Sequence, residues 1–431
     1  MLDIQFIRNN PELVAEKSKQ KGYSVDIPKL LRVDEERRNL LVQIEGLRAK
    51  RNEHATDLSK AKPTSQQIEQ GKKMKDELVL LEQKLVTIED EFEKLVLAVP
   101  NMPLDYVPVG TTEDENQIVK TVGKPTSFDF KPLSDAELGA KHDTIDKERA
   151  AKVAGARFAY LKGDIVRLQF ALIQFVFDVL ADTSVIDKLI KDNGLNLVAK
   201  PFTPILPPAM VKTEPYVASA RLDAEDVTYK LADDDLWMNA SAEHSLCTMY
   251  MNETLSEDQL PIRYVGYATS FRREAGSYGK DTEGIFRMHQ FDKLEMEVFS
   301  TAETGLEEHR LLVAIQEYLV QQIKLPYQLL QKCTADIGRP NATGMDINAW
   351  MPAQQAYRET HTADYMTDFQ ARRLRTRVKR KHGRTELVHT NDATAFALGR
   401  TLKAIMENYQ NSDGTIRIPD VLKPYLQKGV V

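Results

Sequence analysis

Only two of the 431 residues are cysteine, Cys247 and Cys333, and they lie far apart. That excludes a disulfide framework and a paired-cysteine zinc site, and it suits a reducing compartment. Neither GxGxxG nor GxxxxGK[ST] occurs, so the usual dinucleotide fold and the P-loop are excluded, and any nucleotide must be held by another device. No apolar run is long enough to span a bilayer, and the opening MLDIQFIRNN lacks a signal-peptide pattern. A cytoplasmic protein with no membrane partner is therefore expected. The net charge of −6 argues against a generally basic nucleic-acid binder but leaves local patches open.

What is present is a soluble globular composition, 42% hydrophobic and 28% charged, in a chain longer than one typical core. Two or more domains are expected. Leu30 to Val99 carries two heptad-spaced runs. The first is Leu30, Val33, Arg37, Leu40, Ile44, Leu47, Arg51, His54, Leu58, and the second is Met74, Leu78, Leu81, Leu85, Ile88, Phe92, Leu95, Val99. Alternating steps of three and four mark a coiled-coil seam. Pro63 breaks the pattern between them, so the spacing predicts two long antiparallel helices, a lever projecting from a body. From Arg48 to Lys75 there are eight Lys/Arg against three Asp/Glu, and from Asp76 to Leu95 two against seven. The distal half is basic on an acidic protein. It reads either as a solvated helix surface or as a tip that grips a phosphate backbone.

Beyond the Pro-rich VPNMPLDYVPVG the pattern changes. DIVRLQFALIQFVFDVLADT, EEHRLLVAIQEYLVQQIK and GRTLKAIMENYQ read as helices; IRYVGYATSFR, GIFRMHQF, LEMEVFS and TELVHTND read as strands. Hairpins predominate over strand–helix alternation, so an antiparallel sheet with helices packed on it is expected. SFRREAGSYGKDTEGIFRMHQFDKLEMEVF reads as a strand, a Gly-rich loop and a returning strand. The period of two puts Arg272 with Glu274 on one face, and Arg287, His289, Phe291, Lys293 and Glu295 together on the return. Such a face suits a polyanion with an amine-bearing partner better than a dry core, although a solvated hairpin of ion pairs has the same pattern. Near the C-terminus, TELVH reads as a strand followed by a helix from near Asp392, with Arg400 facing the sheet. Arg400 is then either an internal salt bridge or a ligand for phosphate or adenine.

These stretches in this order resemble the seryl-tRNA synthetases, a family of class II aminoacyl-tRNA synthetases, over essentially the whole chain. The matching pieces are IRNNPELV, the coiled-coil arm, NMPLDYVPVGTTEDEN, GARFAYLKGD, FTPILPPAMV, the charged hairpin, DFQARRL and LGRTLKAIMENYQ. The resemblance implies an α+β fold, a six- or seven-stranded antiparallel sheet flanked by helices and preceded by the helical arm. It implies a tRNA-binding domain over 1–103, a linker over 104–160 and a catalytic domain over 161–431, dimerising through the region of Pro208. The implied activity is ATP-dependent attachment of L-serine to serine tRNA through a seryl adenylate, with selenocysteine tRNA as a further acceptor and Mg²⁺ with ATP. Arg272, Glu274 and Arg400 form the implied catalytic set. ATP falls to these three with Arg273, Met288, His289, Gln290, Phe291 (stacked under adenine), Glu359, Thr360, His361 and Thr362. Glu359 and Thr362 are the implied Mg²⁺ ligands. Serine falls to Ser241, Ala242, Glu243, Arg272, Glu295 and Thr394, and tRNA to Arg48, Lys50, Arg51, Lys60, Lys62, Lys72, Lys73 and Lys75.

The departures from the family pattern cluster. Its Thr-Ala-Glu is here Ser241-Ala242-Glu243, its Ser-Cys-Ser-Asn run is HTADYMT with His361, Asp364 and Tyr365, and its Asn-Gly-Ser is Asp392-Ala393-Thr394. They fall where the serine side chain is expected, and Thr394 narrows that space. A zinc-dependent form exists in the family, but Cys247 and Cys333 offer no clear site and His244 reads as structural. Two other readings stand beside an active ligase: a catalytically silent tRNA-binding paralogue, and a plain coiled-coil scaffold, which leaves the hairpin charges unexplained.

Overall fold

The computed structural model describes residues 1–58, 64–222, 228–274 and 283–430. These form two compact units, Met1–Met102 and Pro103–Val431.

In the first unit, short helices Ile4–Asn9 and Pro11–Gln20 precede α1 (Ile27–Leu58) and α2 (Ser65–Ala98). At 1.5 Å per residue the long pair extends about 50 Å. Val33, Leu40 and Ile88 are buried in the seam, with Leu81, Leu85, Phe92 and Leu95 packed on them. Arg37 occupies a seam position because its guanidinium lies 4.5 Å over the Phe92 ring, where the flat cation and the ring replace an aliphatic contact. Buried Asp34 accepts both forks of Arg8 at 2.7 and 3.0 Å. Burial pushes its carboxyl up, but Arg8 outweighs that and holds it below the usual range. Thr64 and Gln67 form a reciprocal capping box that starts α2.

The second unit is built on one eight-stranded sheet. In chain order its strands are β1 (Gln117–Val122), β2 (Thr203–Ile205), β3 (Ile262–Phe271), β4 (Gln290–Ser300), β5 (Tyr327–Gln331), β6 (Thr343–Met351), β7 (Ala356–Thr367) and β8 (His389–Ala397). Across the sheet they run β1-β5-β6-β7-β8-β4-β3-β2. Every pair is antiparallel except β2 with β3. The sheet thus exceeds the expected six or seven strands, because short β2 adds at one edge and β1, from the expected linker, adds at the other. The segment 104–160 also supplies α3 (Asp135–Lys141), and it is tied to the second unit by Leu104 N to Ala342 O, Thr126 to Asn408 and Leu133 N to Gln410.

Helices α4 (Asp164–Ala181), α5 (Gly305–Gln322) and α6 (Leu398–Asn408) complete the core. The buried stripe Leu311, Leu312, Ile315 and Leu319 of α5 joins Ala363, Ala393, Leu294 and Phe396 of the sheet in one apolar cluster. Deleting a side chain such as Leu312 there costs about 2–5 kcal/mol.

Three sequence expectations are corrected. The strand leading into the charged loop stops at Phe271, and Glu274 adopts a left-handed φ of 53°, so Arg272 and Glu274 are not alternate residues of a strand. The return strand begins only at Gln290, so Arg287 and His289 precede it; one further pairing, Arg272 N to His289 O at 2.9 Å, closes the ladder. The helix expected from near Asp392 begins at Leu398, six residues later. The alanines of HTNDATAFA favour helix, but β8 has ladder partners on both sides, β7 and β4. That tertiary pairing overrides propensity.

Candidate active site

The cleft, about 210 Å³, opens over the β7–β8–β4 face. β4 supplies Phe291, Lys293 and Glu295; β7 supplies Glu359, Thr360, Thr362 and Asp364; β8 supplies Asp392 and Thr394; α6 begins with Gly399 and Arg400 at its edge. Neighbouring Glu359 and Thr360 both line it because the β6–β7 register shifts at Ile347/Asn348, a bulge that breaks strict alternation. Arg272, Glu274 and the run Ile285–Met288 form the remaining wall, with Arg221 and Glu243 at the inner end.

At the inner end, Ser241 Oγ donates to the Glu243 carboxylate and accepts from Lys293 Nζ at 3.1 Å. Lys293 is ion-paired with Glu295, which also accepts from Thr394 Oγ1 at 3.0 Å. Burial pushes the Glu295 carboxyl up to about 7, against the pull of Lys293. Burial acts on Glu243 too, but Lys293, His244 and Arg221 outweigh it and hold that carboxyl well below the usual range. Two neighbouring acids are thereby set apart, one firmly ionised and one titrating near neutrality.

Behind them lies a row of acids in cross-strand register, Asp364 opposite Asp392 and Asp392 opposite Glu297. Facing like charges repel. Arg221 forms an ion pair with Asp392, while Lys332 Nζ stands 3.8 Å from Asp364. Glu297 is fully buried, and neither of its oxygens has a hydrogen-bond partner among the described residues. Burial and then Asp392 push its pKa well above the usual carboxylate range.

At the outer end, the Arg272 guanidinium lies 5.2 Å over Phe291 and its Nε donates to Ala240 O at 3.1 Å. Arg287 pairs with Glu274 at 2.6 Å. Phe286 meets two guanidiniums, Arg358 at 4.7 Å and Arg400 at 4.8 Å. Arg400 Nη1 also donates to the Glu359 carbonyl at 3.0 Å and pairs with its carboxylate at 2.9 Å. A second, more apolar hollow of about 250 Å³ adjoins, sharing Ile285, Met288, Phe291 and Gly399 and adding Gln290, Phe158 and Val166. Stacking surfaces and cation forks at one end, with paired carboxylates at the other, suit a nucleotide polyphosphate beside a small zwitterion.

Residues 1–103 match the seryl-tRNA synthetase N-terminal domain, and residues 228–409 match the tRNA synthetase class II core domain (G, H, P, S and T). The serine–tRNA ligase of Thermodesulfovibrio yellowstonii is 38% identical over 440 residues, covering 100% of both chains. That of Petrotoga mobilis is 40% identical over 436 residues, covering 99% of both. The chain belongs to the seryl-tRNA synthetase family. Among solved structures, the seryl-tRNA synthetase of Pyrococcus horikoshii complexed with ATP superposes with a TM-score of 0.88 at 35% identity, covering 100% of this chain and 99% of that one. The cytoplasmic serine–tRNA ligase of Naegleria fowleri in complex with AMP gives 0.84 at 27% identity, covering 100% and 98%.

In this synthetase, Arg272, Glu274, Met288, Phe291, Glu359, Thr360, Thr362, Arg400, Glu243, Glu295 and Thr394 line the cleft. The other expected residues lie behind or beside it. Ser241 is reached through Glu243 and Lys293. Ala242 packs with Leu246 and Ala268. Arg273 donates to Thr228 O and lies 5.1 Å over Tyr229. His289 donates through Nδ1 to Arg272 O at 2.8 Å. His361 turns to the opposite face with its ring 5.5 Å from Phe396, and burial lowers its pKa to about 3, leaving it neutral. His244 meets the Tyr216 hydroxyl at 2.7 Å, and Tyr365 faces His309 on the far side. On the arm, Lys50, Arg51, Lys72 and Lys75 are exposed, Arg48 pairs with Glu82 and Lys73 with Glu69, while Lys60 and Lys62 lie outside the described residues. Sequence reasoning missed Arg221 and Phe286. Neither stands in a spacing that marks it, and both matter only through partners far away in the chain.

Mg²⁺ finds little protein coordination here: among the described residues no group of three or more His, Cys, Asp or Glu could hold a metal ion. Glu359, half-exposed at the cleft, and Thr362 nonetheless fit it, because Mg²⁺ takes one or two carboxylates and draws its remaining ligands from substrate phosphates and water.

Proposed function

We propose that the cleft holds ATP with its adenine against Phe291 and its phosphates among Arg272, Arg287 and Arg400, and holds serine at the Glu243–Glu295–Lys293 end. The chain is a serine–tRNA ligase, which attaches serine to tRNA using ATP. The observation that carries the assignment of roles is the convergence of Arg272, Glu295, Glu359 and Arg400 from separate elements on one cleft.

The serine carboxylate attacks the α-phosphorus in line, the bond to pyrophosphate breaks, and seryl adenylate forms. No proton is transferred to or from the attacking group. Arg272 neutralises charge developing on the α-phosphate, while ionised Glu243, with Glu295 beside it, receives the serine ammonium. Positioning and fixed charges in a sheltered site supply most of the acceleration. When bound by Glu359 and Thr362, Mg²⁺ supplies charge neutralisation at the departing pyrophosphate. The terminal 3′-hydroxyl of tRNA then attacks the seryl carbonyl, and AMP leaves.

The arm engages tRNA through Lys50, Arg51, Lys72 and Lys75, with Arg48 and Lys73, by shape and phosphate contact. The divisions at 103 and 160, homodimerisation through the Pro208 region and a cytoplasmic location belong to the same reading. Among the described residues no helix is long and apolar enough to cross a membrane. Amino-acid-dependent ATP–pyrophosphate exchange with serine, threonine, alanine and cysteine tests the cleft. Exchange with serine alone is expected. No exchange with any of them, while ATP still raises the melting temperature, would overturn the ligase and leave a silent tRNA-binding protein.

A further inference from the structure

Asp135 lies outside the cleft, in a segment for which the sequence suggested only a linker, yet it is 1% exposed and engaged at both oxygens. Its Oδ2 accepts the Ile285 N–H at 2.7 Å and its Oδ1 accepts Lys403 Nζ at 2.5 Å. Lys403, itself 4% exposed, also donates to Glu407 at 2.6 Å, and Glu407 accepts the Ala353 N–H at 2.9 Å. Lys147 adds a second cation near Asp135 and Glu283. An acid at the start of α3 has a bland explanation as a helix cap, but Ser134 and Glu137 already complete a reciprocal capping box there. The Asp135 carboxylate is turned away to another task.

That task is visible at Ile285. Its N–H is held by Asp135, and its carbonyl stands 2.9 Å from where a Cβ on Gly399 would be. At Gly284, with φ 66°, a Cβ would likewise run into the Asp135 carboxylate, so only glycine admits the close approach. Ile285 is therefore fixed by α3 on one side and abutted by α6 on the other. The three residues that follow carry the cleft wall: Phe286 against Arg358 and Arg400, Arg287 on Glu274, and Met288 in the lining. Lys403 sits one turn beyond Arg400 on α6, so the same ion pair ties the loop's return limb to the helix that presents Arg400.

We infer that Asp135, through its paired grip on the Ile285 amide and on Lys403, is a positioning residue that sets the nucleotide half of the cleft. It aligns the 285–288 limb with Arg400 before ATP arrives. The inference rests on the ligase reading for its activity readout and on geometry for the rest.

The test compares full-length wild type, Asp135→Ala, Asp135→Asn and Lys403→Met in serine-dependent ATP–pyrophosphate exchange, with ATP binding measured separately by calorimetry. D135A removes the acceptor, and its KM for ATP is expected to rise roughly tenfold while KM for serine stays within about twofold. D135N keeps an acceptor for Ile285 and is expected to return most of the ATP affinity. K403M leaves the Ile285 hydrogen bond in place and gives a smaller rise of the same kind, which serves if D135A does not fold. Unchanged ATP KM in folded D135A, equal rises for ATP and serine, a D135N as impaired as D135A, or an unchanged K403M would each overturn the inference. Absence of exchange in the wild type would sink the ligase reading alone, and calorimetry would still decide the role of Asp135.

Discussion

Glu295 is buried beside Lys293 and Thr394, with Glu243 close by. Its pKa of about 7 lies above the ordinary 4.5. Between those values the folded chain keeps a proton that the unfolded chain has released, so Glu295 makes stability fall as pH rises from about 4.5 to 7 and level off above. E295Q should flatten that part of a melting-temperature profile and lower serine activation by about 10²–10³, because an amide cannot hold an ammonium as a carboxylate does. A pH profile of E295Q identical to wild type would assign the titration elsewhere. Arg221 is the cation paired with Asp392 in the acid row. R221M leaves Asp392 buried without it and should cost about 3–5 kcal/mol, read by urea denaturation, and D392N in the same chain should recover part of that cost. The charged residues of the loop, Glu295 and Arg400 were legible in the sequence because charge in an apolar pattern needs a reason. Arg221 was not, since its reason is Asp392, 171 positions away.

At the scale of elements, the arm was the most legible part, because its seam repeats over many turns. Helix and strand type elsewhere followed periodicity, and the failures came where pairing overrode local preference. HTNDATAFA is a central strand despite its alanines, and Arg272–Glu274 leaves the ladder at a left-handed residue. The arm's exposed cations make a separable prediction. K72E with K75E should leave ATP–pyrophosphate exchange unchanged and raise KM for tRNA by about tenfold or more, since a phosphate that the protein no longer neutralises weakens binding and flattens its salt dependence. Equal aminoacylation by the double variant would remove these lysines from the tRNA interface.

For the whole molecule, a net charge of −6 with a local cationic excess between Arg48 and Lys75 of the arm separates two chemistries by their response to salt. On the proposed reading, adenylate forms in a partly enclosed cleft where close charge pairs are weakly screened, whereas tRNA is captured by exposed charge. Raising salt from about 50 to 200 mM should therefore depress tRNA charging far more than pyrophosphate exchange. A parallel decline of both would place the salt-sensitive step in the cleft. The two-unit division follows the same separation, with the heptad pattern confined to Met1–Met102 and the cleft to Pro103–Val431.

Arg37, placed over the Phe92 ring within the seam, gives the arm a phase mark. Slipping one helix against the other takes that cation off its ring, and even a slip of a whole heptad, which keeps the seam in phase, sets it against Leu85 or Val99. Removing one whole heptad from each helix, opposite one another and beyond Arg37, preserves the phase and shortens the arm by about 10 Å. The arm is then a ruler with seven-residue graduations. Its length can be dialled to ask how far from the seryl adenylate a tRNA must be held to be charged.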